Sequence, residues 1–230
     1  MEYRLMFFPK NIISIKPTDK VLEVGPGGSP HPRSDVLLEL SYDNEEAAEQ
    51  RGHTDKLKTN KKIVYYTGSS FPFKDNDFDY VICSHVLEHI MSLKLQSFIS
   101  ELQRVARKGY IEYPTVYYEY LYNFNVHKTI LNNKNGVLYY IGKEHTSLSE
   151  FSSVQVFFYK TLQNGYDEVI RKNKGYFVQG FEWFDKIEIQ KTRNLQDLVA
   201  QNISLVNVKL DLKGYYLRNI LAKFRRVFFW

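Results

Sequence analysis

Short apolar runs that alternate with polar, helix-compatible stretches dominate the first half of the chain. Each run is rich in β-branched or aromatic residues and too short for a buried helix, as is typical of interior strands in a parallel sheet. This alternation predicts an α/β fold, a Rossmann-like, doubly wound and mostly parallel sheet of seven strands, with a binding site at the carboxyl ends of the strands. The strands that the sequence places are 21–24, 36–40, 63–66, 80–83 and 110–111.

Other patterns predict helices and a hairpin. Residues 44–51, rich in Glu and Ala, and residues 93–107, with an apolar stripe on one helical face, predict helices. Residues 126–131 and 137–141 flank an Asn- and Gly-containing turn at 132–136, which predicts a β-hairpin. Further along the chain, helix 150–172 and strands 186–191 and 203–212 are predicted.

The chain of 230 residues is long enough for one main domain with additions. Its 43% hydrophobic and 25% charged residues are close to the globular average, which disfavours a disordered or coiled-coil chain. We expect residues 1–115 to form the core of the sheet. Residues 116–212 should add a hairpin and helical elaboration over the active site, together with the remaining strands. Residues 213–230 carry an apolar stripe beside basic residues and predict an amphipathic helix.

The net charge of +5 lies at the end of the chain rather than over its body. Residues 213–230 contain five basic residues and no acidic one, so the rest of the chain is balanced. A nucleic-acid enzyme more often carries positive charge around its cleft, so the neutral body favours a small or neutral substrate and no nucleic-acid partner. The basic helix is compatible with packing on the domain, with peripheral contact to an anionic membrane, or with binding a partner.

The sequence contains neither a signal-peptide pattern nor a membrane-spanning run. We therefore expect a cytoplasmic protein, or one at the inner membrane surface. The single cysteine, Cys83, cannot form an intramolecular disulfide or a cysteine-based zinc site by itself. Redox and structural-zinc functions are disfavoured for this reason.

The predicted strand 21–24 runs directly into a glycine turn at 25–28. Missing side chains there let backbone N–H groups approach a polar ligand. A dinucleotide fingerprint would need a small residue at position 30, which is Pro30, and the lysine of a phosphate-binding P-loop is absent. Both NAD and ATP are disfavoured as ligands.

This loop resembles the first motif of class I S-adenosylmethionine-dependent methyltransferases of the UbiE-like, or methyltransferase type 11, group. The resemblance implies S-adenosylmethionine as cofactor, with the glycine loop at its methionine part and the acid of the preceding strand at its amino end. It also implies that Glu39, which ends the second predicted strand, binds the two ribose hydroxyls, as two carboxylate oxygens match two O–H donors. The implied residues at the methionine part are Glu23, Gly25, Gly27 and Gly28.

Two later segments extend the resemblance over about residues 16–115. Residues 68–73 resemble the stretch that lies beside adenine in the family, which implies contacts from Ser69 and Ser70. Residues 78–89 are similar to the family's fourth-strand motif, and they place Ser84 just past that strand, beside the cofactor.

The sequence departs from the family pattern at two points. The connection from the glycine turn to Glu39 is shorter than usual, and Pro30 and Pro32 would interrupt its helix, so we expect only a turn there. Some methyltransferases found with surface-polysaccharide genes are similar in this respect. Ser69 also stands where the family has an aspartate, which removes a carboxylate acceptor for the adenine amino group.

Methyl transfer to a hydroxyl needs alignment, exclusion of water and a proton acceptor, whereas a metal is optional. His85, just past the fourth strand, is the leading candidate for the general base, because histidine titrates near neutrality. His127, ahead of the predicted hairpin, is the second candidate. The predicted acceptor is an oxygen on a small molecule, a saccharide or a lipid-linked saccharide, and no residue is predicted to bind metal.

Three alternatives stay open. Residues 85–89 spell H-x-x-E-H, the inverted zinc-peptidase signature, although a glycine loop upstream is not expected in a peptidase. The short glycine connection and Ser69 are compatible with a non-catalytic relative that retains the fold for binding. A nucleic-acid methyltransferase is the third alternative. It is disfavoured because the fourth-strand motif lacks the Asn/Asp-Pro-Pro-aromatic signature.

Overall fold

The computed structural model of the protein describes residues 6, 8–41, 59–68, 70–161, 170 and 172–199. Within them, the chain forms two sheets and several helices. The main sheet contains β1 (Val21–Val24), β2 (Val36–Leu40), β3 (Lys62–Tyr66), β4 (Tyr80–Ser84), β5 (Lys108–Pro114) and β8 (Val178–Phe184). The second sheet contains β6 (Thr129–Lys134), β7 (Val137–Gly142) and β9 (Ile189–Lys191). The α-helices are α1 (Leu95–Val105), α2 (Val116–Tyr122), α3 (Ser152–Thr161) and α4 (Lys174–Phe177).

The main sheet has the strand order β3-β2-β1-β4-β5-β8. The first five strands are parallel, which confirms the Rossmann-like arrangement predicted from their apolar runs. β8 is antiparallel to β5 and pairs along its whole length, from Lys108 opposite Phe184 to Pro114 opposite Val178. The described part of this sheet has six strands, whereas seven are predicted, and the predicted strand 203–212 lies outside the described residues. As the predicted hairpin, β6 and β7 pair with each other, and β7 also pairs with β9.

Helix α1 covers one face of the main sheet, as its apolar stripe predicts. Its inward side chains are all buried and belong to one apolar cluster with residues of β1, β2 and β4. Burial of each such side chain stabilises the fold by about 1.5–3 kcal/mol. The inward residues are Leu95, Phe98, Ile99, Leu102 and Val105.

The hairpin of β6 and β7 closes through a two-residue turn, Asn135 and Gly136. Both residues have positive φ, +54° and +85°, as the favoured type I′ hairpin turn requires. The predicted hairpin is confirmed, with a turn tighter than the five residues 132–136. Of the predicted strand 186–191, the three residues of β9 lie parallel to β7, and Lys186 forms an isolated bridge with Phe184.

The connection between β1 and β2, residues 25–35, contains turns and no helix, as the two prolines predict. Helix α2 and strand β8 were not predicted from the sequence. The predicted elements at 44–51, 203–212 and 213–230 lie outside the described residues. In the part of the chain that the structure describes, no helix is long and apolar enough to span a bilayer.

Candidate active site at the carboxyl ends of β1, β2 and β4

The glycine turn after β1 lies against the residues that follow β4. Gly25 and Gly27 have φ of +62° and +57°, in the left-handed region that favours glycine. The Gly25 N–H donates a 2.9 Å hydrogen bond to the carbonyl of Leu38 in β2. A Cβ on Gly25 would lie 2.5 Å from Cγ2 of Val86, whereas a Cβ on Gly28 would meet no atom within 4 Å. The loop is therefore closed on the Val86 side and open at Gly28.

Glu23 in β1 is buried and holds the connection that leads to β2. Its Oε2 accepts hydrogen bonds from the backbone N–H of His31, at 2.8 Å, and from the hydroxyl of Ser34, at 2.6 Å. Burial raises the pKa of Glu23 to about 7, although both hydrogen bonds and the charge of Lys61 act in the opposite direction. The ammonium of Lys61 also donates to the carbonyls of Pro32, at 2.9 Å, and Ser34.

Glu39 lies next to the end of β2, on the strand adjacent to β1. Its side chain is only 4% exposed, so the carboxylate faces into the protein rather than into bulk water. Gly68, which follows β3, has a φ of +83° and lies close to the side chain of Leu40. Ser70, two residues after Gly68, is exposed, and Ser69 lies outside the described residues.

Ser84 and His85, at the end of β4, lie against a buried carboxylate of β5. Ser84 Oγ donates to Oε1 of Glu112 at 3.2 Å. His85 has a φ of +55°, and its Nδ1 and Nε2 lie 3.2 Å from Oε1 of Glu88 and Oε1 of Glu112, respectively. Burial by itself lowers the pKa of His85, but the hydrogen bonds and charges of the two carboxylates outweigh burial and raise the pKa to about 9. A raised pKa favours the imidazolium form of His85, which opposes the role of general base.

Glu112 in β5 is fully buried and was not predicted as a site residue from the sequence. Its Oε2 accepts hydrogen bonds from the backbone N–H of Phe8, at 2.9 Å, and from the hydroxyl of Tyr110, at 2.7 Å. A signal was present in the sequence, because an acidic residue inside the otherwise apolar run 110–113 has to be paired if that run is an interior strand.

A second buried carboxylate, Glu119 in α2, was missed for a similar reason. Its Oε1 is hydrogen-bonded to Nδ1 of His127, and its Oε2 lies 3.1 Å from the ammonium of Lys143. Burial lowers the pKa of Lys143, while Glu119 acts in the opposite direction. The acid within the aromatic run Val116–Tyr122 was the available signal.

The residues that follow β4 and those that precede β6 meet at His89 and His127. The two imidazole rings lie edge to face with centroids 5.0 Å apart. His89 Nδ1 lies 3.1 Å from the carbonyl of Val126, and the Lys128 N–H donates to the carbonyl of Glu88 at 2.6 Å. Burial lowers the pKa of His89. Burial by itself raises the pKa of Glu88. The hydrogen bond and charge of His85, together with the charges of the other two histidines, outweigh burial and lower this pKa to about 2.

These positions bring together most of the predicted site. Glu23, the glycine turn and Glu39 lie at the ends of β1 and β2, and Ser84 and His85 lie at the end of the neighbouring β4. His127 joins the residues after β4 through His89 rather than through His85. The H-x-x-E-H run is not helical throughout, since only Leu87–His89 form a short 3-10 helix. His85 faces Glu88 and Glu112, which is not the arrangement of a zinc-peptidase helix.

The glycine turn and Glu39 offer polar groups that suit S-adenosylmethionine. The open side of the loop at Gly28 leaves room beside backbone amides, and Glu39 offers a buried carboxylate one strand away. Such a donor set suits a ligand with hydroxyls and a cationic amine. The residues present therefore fit the cofactor, although Oε2 of Glu23 is already engaged by the protein.

Residues 22–111 match a family model described as a methyltransferase domain. The match spans the strands from β1 to β5 and includes the glycine turn, Glu39 and the residues after β4. It supports the prediction of a methyltransferase domain, and it implies S-adenosylmethionine as the cofactor of that domain. No curated protein matches the chain in sequence.

Several solved structures are similar to part of the chain. The PH0226 protein from Pyrococcus horikoshii OT3 is 19% identical over 49% of this chain and 61% of its own, with a TM-score of 0.35. The YcgJ protein from Bacillus subtilis is 19% identical over 47% of this chain and 54% of its own, with a TM-score of 0.33. A SAM-dependent methyltransferase from Methanosarcina mazei is 17% identical over 53% of this chain and 69% of its own, with a TM-score of 0.33. The chain thus spans less than two thirds of the first two, and likenesses this low carry no argument by themselves.

Proposed function

We propose that the protein is an S-adenosylmethionine-dependent methyltransferase that acts on an oxygen of a small molecule or a saccharide. The observation that carries the proposal is the pairing of an open glycine turn after β1 with the buried Glu39 on the adjacent strand. The match of residues 22–111 to a methyltransferase domain supports it independently.

Each cofactor-side residue has a defined task in this proposal. The turn at Gly25, Gly27 and Gly28 offers backbone amides at close range, and Glu39 accepts hydrogen bonds from two vicinal hydroxyls. Glu23 holds the connection to β2 in place, and its ionised form contributes negative charge near the cofactor's amine. When bound, S-adenosylmethionine would supply an already activated methyl group, so alignment and exclusion of water are the main demands on the protein.

We propose the class of methyl acceptor from the net charge of the chain, and the proton acceptor from the histidines that follow β4. The body of the chain is neutral, which suits an uncharged acceptor better than a nucleic acid. In transfer to oxygen, the bond from methyl carbon to sulfur breaks, a bond from that carbon to oxygen forms, and the hydroxyl proton goes to a base. We assign this proton to His127 rather than to His85. The Glu119 carboxylate can hold a proton on Nδ1 of His127, which leaves Nε2 as the accepting nitrogen.

Titration calorimetry with S-adenosylmethionine and S-adenosylhomocysteine tests the cofactor site. Wild-type protein should bind both ligands, and Glu39→Gln should weaken binding at least tenfold, because one acceptor oxygen becomes a donor. Glu188→Gln is the matched control, since Glu188 is an exposed acid at the second sheet. The proposal fails if wild-type protein shows no heat at high micromolar ligand. Equal affinities for wild type and Glu39→Gln would refute the assignment of Glu39.

Transfer from methyl-labelled cofactor to a panel of mono- and oligosaccharides, small alcohols and RNA separates an enzyme from a non-catalytic binding protein. Oε2 of Glu23 already accepts two hydrogen bonds within the protein, and this observation favours the non-catalytic binding protein. Label in an alkali-stable ether on the saccharide would support oxygen transfer. Cofactor binding without transfer to the saccharides, small alcohols or RNA of the panel would favour the binding protein. Transfer to RNA alone would favour the nucleic-acid enzyme.

We also propose that residues 213–230 contact an anionic membrane surface, on the evidence of their sequence pattern alone. Co-sedimentation with anionic and neutral vesicles should retain the full chain on anionic vesicles only. Replacing the five basic residues of the segment by Gln should abolish this retention. Equal retention of the two proteins would contradict the proposal.

A further inference from the structure

Three side chains that can bind a metal ion converge between the end of β4 and the start of β6. One ligand atom from each of Glu88, His89 and His127 lies within 4.8 Å of the other two. We name these three residues the Glu–His–His cluster. Tetrahedral ligands at about 2.1 Å from one zinc ion are roughly 3.4 Å apart, so adjustments of about 1 Å would bring the cluster to binding distance.

The hydrogen bonds of the two histidines leave Nε2 of each ring available for a metal ion. Nδ1 of His89 faces the carbonyl of Val126, and Nδ1 of His127 faces the carboxylate of Glu119. Both partners are acceptors, so each Nδ1 carries the proton and each Nε2 carries the lone pair. This second contact to a carbonyl or a carboxylate is the usual way in which proteins orient a metal-binding histidine.

Glu88 supplies an independent indication. Its side chain is 1% exposed, and Oε1 is paired with His85 at 3.2 Å. The other oxygen, Oε2, is buried and has no hydrogen-bond partner among the described residues. A buried carboxylate oxygen without a partner is costly, and a cation beside it removes that cost.

We propose that the Glu–His–His cluster binds a divalent transition-metal ion, with zinc as the best-suited probe. Two imidazole nitrogens and one carboxylate oxygen form a three-ligand set that leaves a further coordination position open. No metal ligand is predicted from the sequence, and the H-x-x-E-H pattern would pair His89 with His85. In the folded protein, the second histidine of the cluster is His127, which is distant in sequence, and not His85.

The ion would add a link between two segments that already meet through hydrogen bonds. Glu88 and His89 belong to the 3-10 helix Leu87–His89, and His127 lies just before β6. The hydrogen bond from the Lys128 N–H to the Glu88 carbonyl already brings these segments together. Ion binding and proton uptake would use the same nitrogen of His127, so the ion-bound form would not use His127 as a base.

Competition between the full-length protein and a chromophoric zinc chelator tests the site. After treatment with a strong chelator, wild-type protein should take up one zinc ion with micromolar or tighter affinity. His127→Gln and His89→Gln should each weaken zinc binding at least 100-fold, and Glu119→Gln should weaken it 10–100-fold by loosening His127. His145→Gln is the matched control, because His145 is exposed and lies outside the cluster. It should bind zinc as wild type does.

Cobalt substitution provides a measurement that does not depend on the variants. Co²⁺ in the cluster should give the intense visible absorption of a four- or five-coordinate ion, and zinc should displace it. The proposal is overturned if wild-type protein binds no zinc, if its affinity equals that of His127→Gln, or if cobalt shows only the weak spectrum of a hexa-aqua ion. Neither cofactor nor acceptor is present in these measurements, so their failure would leave the proposed methyl transfer untouched.

Discussion

Glu23 in β1 and Ser34 in the connection before β2 are joined by a 2.6 Å hydrogen bond in which the serine hydroxyl donates to the carboxylate. The same oxygen of Glu23 also holds the His31 N–H. A turn built by two prolines is thus fixed by a carboxylate from the preceding strand. This contact is one reason why the connection needs no helix to place β2 beside β1.

The raised pKa of Glu23 predicts a specific pH dependence of stability. Because the pKa of Glu23 is about 7 in the folded protein, above its usual value of 4.5, the folded state binds the proton more tightly. The stabilisation by that proton is full below pH 4.5 and is lost as the pH rises through 7. Glu23→Gln should remove this loss, which amounts to about 2–3 kcal/mol. Urea unfolding of both proteins at pH 5 and pH 8 measures it, and parallel pH profiles would contradict it.

The close approach of Gly25 to Val86 predicts a coupled pair of substitutions. Gly25→Ala should destabilise the protein by about 2–4 kcal/mol, because a Cβ would meet the Val86 side chain and the positive φ would become strained. Adding Val86→Ala should recover about 1 kcal/mol in a double-mutant cycle, because only the side-chain clash is relieved. Gly28→Ala, which meets no atom, is the control and should stay within about 0.5 kcal/mol of wild type. Strictly additive free energies of unfolding would show that the two residues are not in contact.

Glu112 should be among the most sensitive positions in the core. Glu112→Leu leaves the Phe8 N–H and the Tyr110 hydroxyl without an acceptor and removes a carboxylate that faces His85. Loss of one partner from a buried charged network costs about 3–5 kcal/mol. Glu144→Leu, at an exposed acid, should change the urea midpoint little. Comparable effects at the two positions would exclude the network as a source of stability.

The type I′ turn of the β6–β7 hairpin predicts a backbone effect without any clash. Gly136 has a φ of +85° and open space around its Cα, so Gly136→Ala should cost about 1 kcal/mol from backbone strain alone. Gly175→Ala, at an equally open position in helix α4 without positive φ, should be neutral or stabilising by about 0.5 kcal/mol. Thermal unfolding of the two variants compares them directly. A Gly136→Ala protein as stable as Gly175→Ala would contradict the turn assignment.

The amino-acid sequence by itself determined the parallel strands β1 to β5, helix α1 and the hairpin. Buried parallel strands appear in the sequence as short apolar runs, and an amphipathic helix appears as an apolar stripe. The dipeptide Asn-Gly between two strand-like runs indicates a hairpin turn. The glycine turn and Glu39 could be located in the same way, because they directly follow recognisable strands. Local pattern was sufficient wherever a segment's environment is set by its own neighbours in sequence.

Only the tertiary structure decided the pairing of β8 with β5, the two buried carboxylates and the partners of the histidines. Glu112 and Glu119 are single acids in apolar segments, and the groups that neutralise them come from distant parts of the chain. His85 looked like a base from its place after β4, yet its two carboxylate neighbours hold it protonated. His127 meets His89 because the chain returns beside β4 before β6, a meeting that no spacing in the sequence encodes.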